Sequence, residues 1–364
     1  MIIQNIEVKR ISVPLKKPFK TALRTVEALE SVLVKITCDN GMVGWGEASA
    51  TVVITGDSIQ SIEAAILHTI RPQLIGKSVL AYEQIFQTLH QSMVNNSSAK
   101  AAVDIALYDL LAQRANMPLY QYLGGYRNEL ETDYTVSVNS PKEMGEDAAA
   151  FFKDGFNVLK IKVGKDDIKE DILRIQEIRK SVGNEVKIRL DANQGWNAKE
   201  AIVSIRKMED MGLDIELIEQ PVKAHDLDGL KQVTDAVDTP IMADESVFSP
   251  AQALAVLRNR AADLINIKLM KAGGIYKAQF INQLAEEHGI PCMVGSMIES
   301  RLSVSAAAQF AASKKNITRY DFDAPLLLLR DGIEGGVTYE GRKMYMPELP
   351  GLGIRSVSLW EEGE

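Results

Sequence analysis

Short β-rich runs alternate with amphipathic helical segments along the chain from residue 130 onward. The runs are TDYTVSV (132–138), VLKIKV (158–163), VKIRLDAN (186–193), IELIEQ (215–220), PIMADE (240–245), LINIKL (264–269), PCMVGS (291–296) and ITRYDFDA (317–324). Between them lie segments with helical apolar spacing, such as KEDILRIQEIRKSVG and SPAQALAVLRNRA. Strict alternation of this kind indicates parallel strands joined by helices. Eight repeats predict an α/β fold, a modified TIM (β/α) barrel.

The segments on either side of the barrel have a different pattern. IIQNIEVKRISVPL and LESVLVKITCDNGMVGWGEA resemble antiparallel strands with a hairpin turn at Asn40-Gly41. The stretch 57–123 is predicted to be helical and to end at Gly124-Gly125. We therefore expect three parts: an α+β capping domain (1–125), the barrel (126–324) and a strand-rich C-terminal segment (325–364) that packs back on the capping domain.

Composition excludes several classes of partner and location. The formal net charge is −8 and the sequence pI is near 5.3, which argues against nucleic acid as a partner. No apolar run approaches the roughly 18 residues that a membrane-spanning helix needs, and the N-terminus lacks the apolar core of a signal peptide. Cys38 and Cys292 form no metal or redox motif. We expect a cytoplasmic protein with no membrane contact.

Each predicted barrel strand delivers a polar residue at its C-terminal end, where barrel enzymes place their active sites. These residues are Thr135; Lys160 and Lys162; Asp191 and Asn193; Glu219; Asp244 and Glu245; Lys268; Ser296; and Asp321 and Asp323. Successive charged positions from Lys162 to Lys268 are 24 to 29 residues apart, one βα unit each time. A merely solvated surface would not produce this regularity.

Three carboxylates, Asp191, Glu219 and Asp244, end consecutive strands and should converge on one point. Carboxylates that close require a neutralising cation, and oxygen ligands favour a hard ion such as Mg²⁺. Any one of the three could be an isolated surface acid or a helix cap. As a set at barrel spacing, they predict one Mg²⁺ per active site.

Lys160 and Lys162 raise a physical question, because residues two apart in a strand point to the same face. If that face is interior, burying two like charges side by side costs several kcal/mol unless other groups compensate.

The chain resembles the enolase superfamily, in its muconate lactonizing enzyme subgroup, over essentially its whole length. The resemblance rests on the lysine pair of LKIKV, the Asp191/Glu219/Asp244 set, ADES, IKLMKAGG with Lys268, and GWGEA. Within the subgroup, FKTALRT (19–25), ITGDS (54–58), TDYTVSV, LDANQGW, SMIES and DFDAP (321–325) are similar to dipeptide epimerases.

The resemblance implies a two-base epimerisation. Lys162 and Lys268, on opposite strands of the ring, would face the two sides of a substrate α-carbon, one removing the proton and the other returning one. Lys160 would lower the pKa of its neighbour Lys162 and help to neutralise an enediolate held by Mg²⁺.

The resemblance also implies a substrate. Asp321 and Asp323 would bind the ammonium group of a dipeptide, and Arg24 the side-chain carboxylate of a C-terminal Glu. Thr135, Asn193 and Ser296 would complete the substrate site. Ala-Glu is the first candidate substrate, and a homo-oligomer is the expected assembly.

Several alternatives compete with this interpretation. A sister activity, such as o-succinylbenzoate synthase, N-acylamino acid racemase or cycloisomerase, would keep the lysines and the metal but would not require the aspartate pair. Asp321 and Asp323 could instead form a barrel-closing salt bridge with Arg319 or Arg301. A barrel that only binds a ligand is disfavoured by the intact lysines. A phosphate-binding barrel is disfavoured because CMVGSMIES, which should hold the phosphate loop, has a single glycine.

Overall fold

The computed structural model describes residues 1–361 and begins with a three-stranded antiparallel sheet. Its strands are β1 (Ile3–Lys20), β2 (Thr25–Cys38) and β3 (Val43–Ser49). The predicted Asn40-Gly41 turn joins β2 to β3, with Gly41 at a φ of +81°. Six helical segments follow: α1 (Ile59–Ala64), a π-helix (Ala65–Ile70), α2 (Arg71–Leu74), α3 (Tyr82–Gln91), α4 (Ser97–Arg114) and α5 (Leu119–Tyr122). The predicted α+β module is confirmed.

The two glycines of GWGEA let β3 lie directly against α4. A Cβ on Gly44 would be 2.3 Å from the carbonyl oxygen of Ala106, and one on Gly46 would be 1.9 Å from that of Ala102. No side chain fits at those distances, so only glycine permits this approach. Glu47 and Ser49 therefore take fixed positions at the end of the strand.

Eight parallel strands form one sheet in chain order, which confirms the predicted barrel. They are β5 (Tyr134–Val136), β6 (Val158–Lys162), β7 (Lys187–Asp191), β8 (Ile215–Glu219), β9 (Ile241–Ala243), β10 (Leu264–Lys268), β11 (Cys292–Gly295) and β12 (Ile317–Asp321), after a short outer strand β4 (Glu129–Glu131). Side chains bind across the seam between β12 and β5: Thr132 Oγ1 accepts from the Phe322 N–H (2.9 Å), and Asp323 Oδ2 accepts from the Thr135 N–H (2.7 Å).

Helices surround the sheet. They are α6 (Pro141–Lys153), α7 (Ile168–Val182), α8 (Ala198–Asp210), α9 (Leu227–Ala236), α10 (Pro250–Asn259), α11 (Leu269–Ala272), α12 (Ile275–Glu287), α13 (Arg301–Ala312) and α14 (Ala324–Leu327). The last strand is followed only by the four-residue α14. The chain then leaves the barrel, because Leu328 bridges to Leu15 and the Leu329 N–H bonds to the Pro14 carbonyl (2.8 Å).

The C-terminal segment adds β13 (Ile333–Gly335), β14 (Thr338–Glu340), β15 (Lys343–Tyr345), β16 (Ile354–Val357) and α15 (Ser358–Glu361). It contacts both neighbours: β15 pairs with β4, while Trp360 packs edge-on against Trp45 of β3. The predicted domain limits at residues 125 and 324 and the homo-oligomer stay predictions.

The barrel interior is filled beneath the strand ends. Leu217, Met242, Leu264 and Met293 form a separate buried cluster, and each precedes the polar residue found at or just after the C-terminal end of its strand. No helix within residues 1–361 combines the length and apolar character needed to cross a bilayer.

Candidate active site

Lys160 and Lys162 both lie inside the barrel, with relative exposures of 1% and 6%. The burial of two like charges is compensated by carboxylates from other strands. The Lys160 ammonium lies 2.7 Å from Asp321 Oδ2, 2.8 Å from Glu219 Oε2 and 3.2 Å from Asp191 Oδ2. Lys162 Nζ lies 2.6 Å from the same Asp191 oxygen. The lysine pair is thus one half of a buried ionic cluster.

Strand register aligns the other half. Lys162 pairs with Asp191 and Asp191 pairs with Glu219 across adjacent strands, so these side chains end their strands at one level. Asp244 follows β9 directly, and its Oδ2 lies 2.9 Å from Lys268 Nζ. Lys268, like Lys162, therefore binds a carboxylate at the C-terminal end of the barrel.

Lys271 joins the cluster without having been anticipated. Its ammonium lies 2.6 Å from Asp244 Oδ1 and donates to the carbonyls of Val247 (3.1 Å) and Asn266 (3.0 Å). The helix α11, which begins directly after Lys268, turns this side chain back toward the strand ends. The second lysine of KLMK was a possible signal in the sequence. It lies three residues after Lys268, however, and this spacing does not fit the two-residue periodicity of a strand face.

The cluster shifts the pKa values of its carboxyl groups in opposite directions. Burial alone would raise the pKa of Asp191, but Lys162 and Lys160 outweigh burial and lower it to about 2. Burial and the charge on Asp191 raise the pKa of Glu219 to about 7. Adjacent carboxylates therefore differ in their readiness to ionise, because the lysines lie closer to some than to others.

The expected effect of Lys160 on its neighbour Lys162 stays a prediction, whereas the carboxylates of the cluster act on the pKa values of two other lysines. Burial favours neutral Lys160, but Asp321, Glu219 and Asp191 outweigh it and hold its pKa well above the ordinary value. The pKa of Lys268 is raised for the same reason, chiefly by Asp244. Three carboxylates within 3.2 Å of the Lys160 ammonium thus determine the direction of its pKa shift.

The carboxylates carry suitable donors for Mg²⁺ but do not enclose an ion as they stand. Among residues 1–361, no three acidic, histidine or cysteine side chains share a metal position. The ammonium of Lys160 lies between Asp191 and Glu219, and that of Lys268 lies between Glu219 and Asp244. A dication on these oxygens would supply the same counter-charge and release both lysine nitrogens.

Buried oxygens next to the carboxylates support this fit. Asn193 Oδ1, Glu245 Oε2 and Asn266 Oδ1 have no hydrogen-bond partner within residues 1–361. Asn266 Nδ2 donates to Glu219 Oε1 (2.8 Å), and Asn193 Nδ2 donates to Glu245 Oε1 (3.2 Å). An oxygen-rich, buried donor set of this kind suits a hard cation. Asn266 was missed because it lies mid-strand, two residues before Lys268.

A pocket opens above the cluster, between the barrel and the capping module. Eight predicted site residues line it, namely Arg24, Thr135, Lys162, Asn193, Lys268, Ser296, Asp321 and Asp323. Ile54 of the ITGDS motif also lines it, from the capping loops. Phe19, Thr21, Leu23 and Val53 complete the capping wall. The Lys162 ammonium also lies 5.7 Å from the centre of the Phe19 ring. The structure thus brings both opposed lysines and the predicted substrate residues to one cavity.

Asp321 and Asp323 differ in position more than expected. Asp321 ends β12, whereas Asp323 lies beyond the strand as the N-cap residue of α14. Burial and the charge of Asp321 raise the pKa of Asp323 to about 7. The alternative salt bridges are absent within residues 1–361, because Arg301 pairs with Asp331 and Arg319 with Glu216.

Arg24 lies in the turn between β1 and β2, whose backbone is fixed by Thr21. Thr21 Oγ1 accepts from the Arg24 N–H (3.2 Å), while the Thr21 N–H donates to the Arg24 carbonyl (2.9 Å). No acidic side chain within residues 1–361 forms an ion pair with the guanidinium, and burial lowers its pKa. A half-buried cation without a counter-ion is suited to an anionic ligand group.

Comparisons with known proteins agree with this geometry. Residues 5–124 match the family described as mandelate racemase / muconate lactonizing enzyme, N-terminal domain, and residues 143–357 match the family described as enolase C-terminal domain-like. The chain is 65% identical over 359 residues to the L-Ala-D/L-Glu epimerase of Bacillus subtilis (strain 168), covering 99% of this chain and 98% of the relative. It is 53% identical to the L-Ala-D/L-Glu epimerase of Clostridium acetobutylicum, covering 98% of this chain and 100% of the relative.

Solved structures extend the comparison. A substrate-liganded complex of the Bacillus subtilis enzyme superposes with a TM-score of 0.97 at 65% identity, covering 97% of this chain and 99% of that chain. The dipeptide epimerase of Enterococcus faecalis V583, complexed with Mg and the dipeptide L-Leu-L-Tyr, superposes with a TM-score of 0.95 at 43% identity. That match covers 98% of this chain and 100% of the other.

Proposed function

The chain belongs to the mandelate racemase / muconate lactonizing enzyme family of the enolase superfamily, and from that premise we propose that it epimerises dipeptides, with L-Ala-D/L-Glu as the first substrate. Curated relatives that share half or more of its sequence are epimerases, so the enzyme class is isomerase. The single observation that carries the proposal is the pocket that holds Lys162, Lys268, Asp321, Asp323 and Arg24 together.

The two lysines supply acid and base from opposite sides. β6 and β10 are four positions apart in the order of the eight strands, so Lys162 and Lys268 face each other across the barrel mouth. A substrate α-carbon between them presents its hydrogen to one lysine in the L form and to the other in the D form. One lysine removes the proton and the other donates one from the opposite side. Inversion follows from this placement.

Asp191, Glu219 and Asp244 would hold Mg²⁺, which supplies Lewis acidity to a substrate carboxylate and so acidifies the adjacent α-hydrogen. The chain contributes a further positive charge through Lys160, whose ammonium lies at the centre of the cluster. Removal of the α-proton converts the substrate carboxylate and its α-carbon into an enediolate, and negative charge accumulates on the carboxylate oxygens. Lys160, which also lies 2.7 Å from Asp321 Oδ2, is positioned to stabilise that charge.

Charged residues at the two ends of the pocket would bind the two ends of a dipeptide substrate. Buried Asp321 and Asp323 would attract a free ammonium group. Asp321 already lies 2.7 Å from the Lys160 ammonium, whereas burial and the charge of Asp321 raise the pKa of Asp323 to about 7. Arg24, on the capping side, would bind the side-chain carboxylate of a C-terminal Glu. Thr135 orients Asp323 through its N–H (2.7 Å), and Asn193 and Ser296 line the space between.

N-acetylation of Ala-Glu should remove most of the activity. The acetyl group replaces a cation by a neutral amide and leaves a buried carboxylate unpaired, which costs at least about 10²-fold in kcat/KM. The measurement compares kcat/KM for Ala-Glu and acetyl-Ala-Glu at the same pH. An N-acylamino acid racemase or o-succinylbenzoate synthase would show no such preference, so equal rates would contradict the role of the aspartates.

A further inference from the structure

Glu47, in the GWGEA motif, is a fully buried carboxylate that binds the other module of the protein. Its Oε1 accepts from Ser31 Oγ (2.9 Å) and from the Ser300 N–H (3.0 Å). Its Oε2 accepts from the Ser303 N–H (3.2 Å) and from Ser300 Oγ. No lysine or arginine within residues 1–361 forms an ion pair with it. The charge of Glu47 is therefore compensated by hydrogen bonds alone.

Three of those hydrogen bonds come from the N-terminus of α13, whose N-cap is Ser300. The first N–H groups of a helix lack partners within the helix and carry partial positive charge. A carboxylate of the capping module thus caps a helix of the barrel. This arrangement fixes the end of β3 relative to the chain that leads into α13.

That chain is the loop after β11, and it is held at further points. Glu299 Oε1 accepts from the Met297 N–H (2.7 Å), while Glu299 Oε2 accepts from Ser303 Oγ. Ser49, two residues after Glu47, donates through Oγ to the Ile298 carbonyl (2.8 Å). The backbone at 297, 298 and 300 is therefore bound by side chains, two of them from β3.

The same loop forms one wall of the pocket. Ser296, Met297 and Ile298 line the cavity together with Lys268 and Asp321. Met297 and Ile298 are its apolar surface on this side, so the position of their backbone decides which substrate side chain fits. A shift of β3 would be transmitted to this wall through Glu47 and Ser49.

We propose that Glu47, together with Ser49, is a positioning residue that couples the capping module to the Met297–Ile298 wall and thereby sets substrate selectivity. The predicted effect on substrate selectivity rests on the proposed function. The coupling of β3 to the loop that contains Met297 and Ile298 does not. Neither residue lines the pocket, so both act through the loop. A purely structural role would lower stability without changing the preference among substrates.

The test uses the full chain with Glu47→Gln and Ser49→Ala, and Ser12→Ala as the control. Glutamine has the same shape, but its amide group cannot accept at both positions, so at least one α13 bond is lost. Ser49→Ala removes only the bond to Ile298 and covers the case in which Glu47→Gln fails to fold. Ser12 is an exposed serine of the same sheet, bonded to Glu30.

Two measurements are made on each variant. Hydrogen exchange followed by mass spectrometry reports the amides of residues 293–303 and needs no activity. Steady-state kinetics then compare Ala-Glu with Leu-Glu. For Ser49→Ala we expect about 3- to 10-fold faster exchange at 298–300, a similar rise in KM with little change in kcat, and a changed ratio of kcat/KM between the two dipeptides.

The outcomes separate the two proposals. If the native protein leaves both dipeptides unchanged, the proposed function fails, while the exchange data still test the coupling. If the native protein is active and folded Ser49→Ala behaves like Ser12→Ala in exchange and in substrate ratio, the coupling is contradicted. Lower stability with an unaltered substrate ratio would likewise overturn the positioning role.

Discussion

Replacement of Lys268 by alanine is expected to abolish epimerisation while leaving exchange of the α-hydrogen in one epimer. The remaining lysine, Lys162, still reaches the hydrogen on its own side of the α-carbon, and its ammonium protons exchange with solvent. Deuterium should therefore enter one epimer with retention of configuration. Lys162→Ala should confine any exchange to the other epimer. Interconversion should fall by at least about 10²–10⁴-fold, as expected for a lost general base.

The measurement is the NMR signal of the α-hydrogen of each epimer, followed separately in D₂O. Lys160→Ala provides an internal comparison, because Lys160 stabilises charge and does not select a face, so it should slow both directions. Lys231→Ala, at an exposed ion pair with Asp235, is the control for a lysine outside the site. A near-native rate of interconversion in either Lys162→Ala or Lys268→Ala would contradict the two-base mechanism.

Glu219→Gln is expected to weaken divalent-cation binding and to reduce turnover by at least about 10²-fold. Glutamine keeps the shape of Glu219 but removes one of the three negative charges on which Mg²⁺ binding would depend. The buried Lys160, which lies 2.8 Å from Glu219 Oε2, also loses one counter-ion. Calorimetric titration with Mg²⁺ measures binding directly, and turnover is measured at saturating Mg²⁺.

Chelation provides the complementary test of the metal. Exhaustive treatment with EDTA should eliminate turnover, and added Mg²⁺ should restore it. Circular dichroism of the treated protein and of Glu219→Gln establishes whether the fold persists. Undiminished activity after exhaustive chelation would contradict the assignment of Asp191, Glu219 and Asp244 as metal ligands.

Much of the site was predictable because a barrel repeats one unit. Each βα unit brings a strand end to the same rim, so Lys162, Asp191, Glu219 and Lys268 could be placed from their spacing alone. The capping module followed from strand alternation and the Asn40-Gly41 turn. Residue type then indicated the chemistry, because three neighbouring carboxylates suit a metal ion and two opposed lysines suit proton transfer.

The partners of these side chains could not be predicted in the same way. Lys160 and Asp321 are 161 residues apart and meet only because the barrel brings its last strand near its first. The raised pKa of Lys160, to which that contact contributes, could not be predicted from sequence spacing. Lys271 lies in a short helix and follows no strand period. Glu47 acts through an interface between modules, for which spacing within either module gives no signal.

The most direct test of the central claim uses the unaltered protein with Mg²⁺ and L-Ala-L-Glu in D₂O, followed by ¹H NMR. We predict that L-Ala-D-Glu appears and that deuterium replaces hydrogen at the α-carbon of Glu, with the α-hydrogen of Ala retained. Persistence of L-Ala-L-Glu as a single epimer, with no deuterium at the Glu α-carbon, would contradict the proposed epimerase activity.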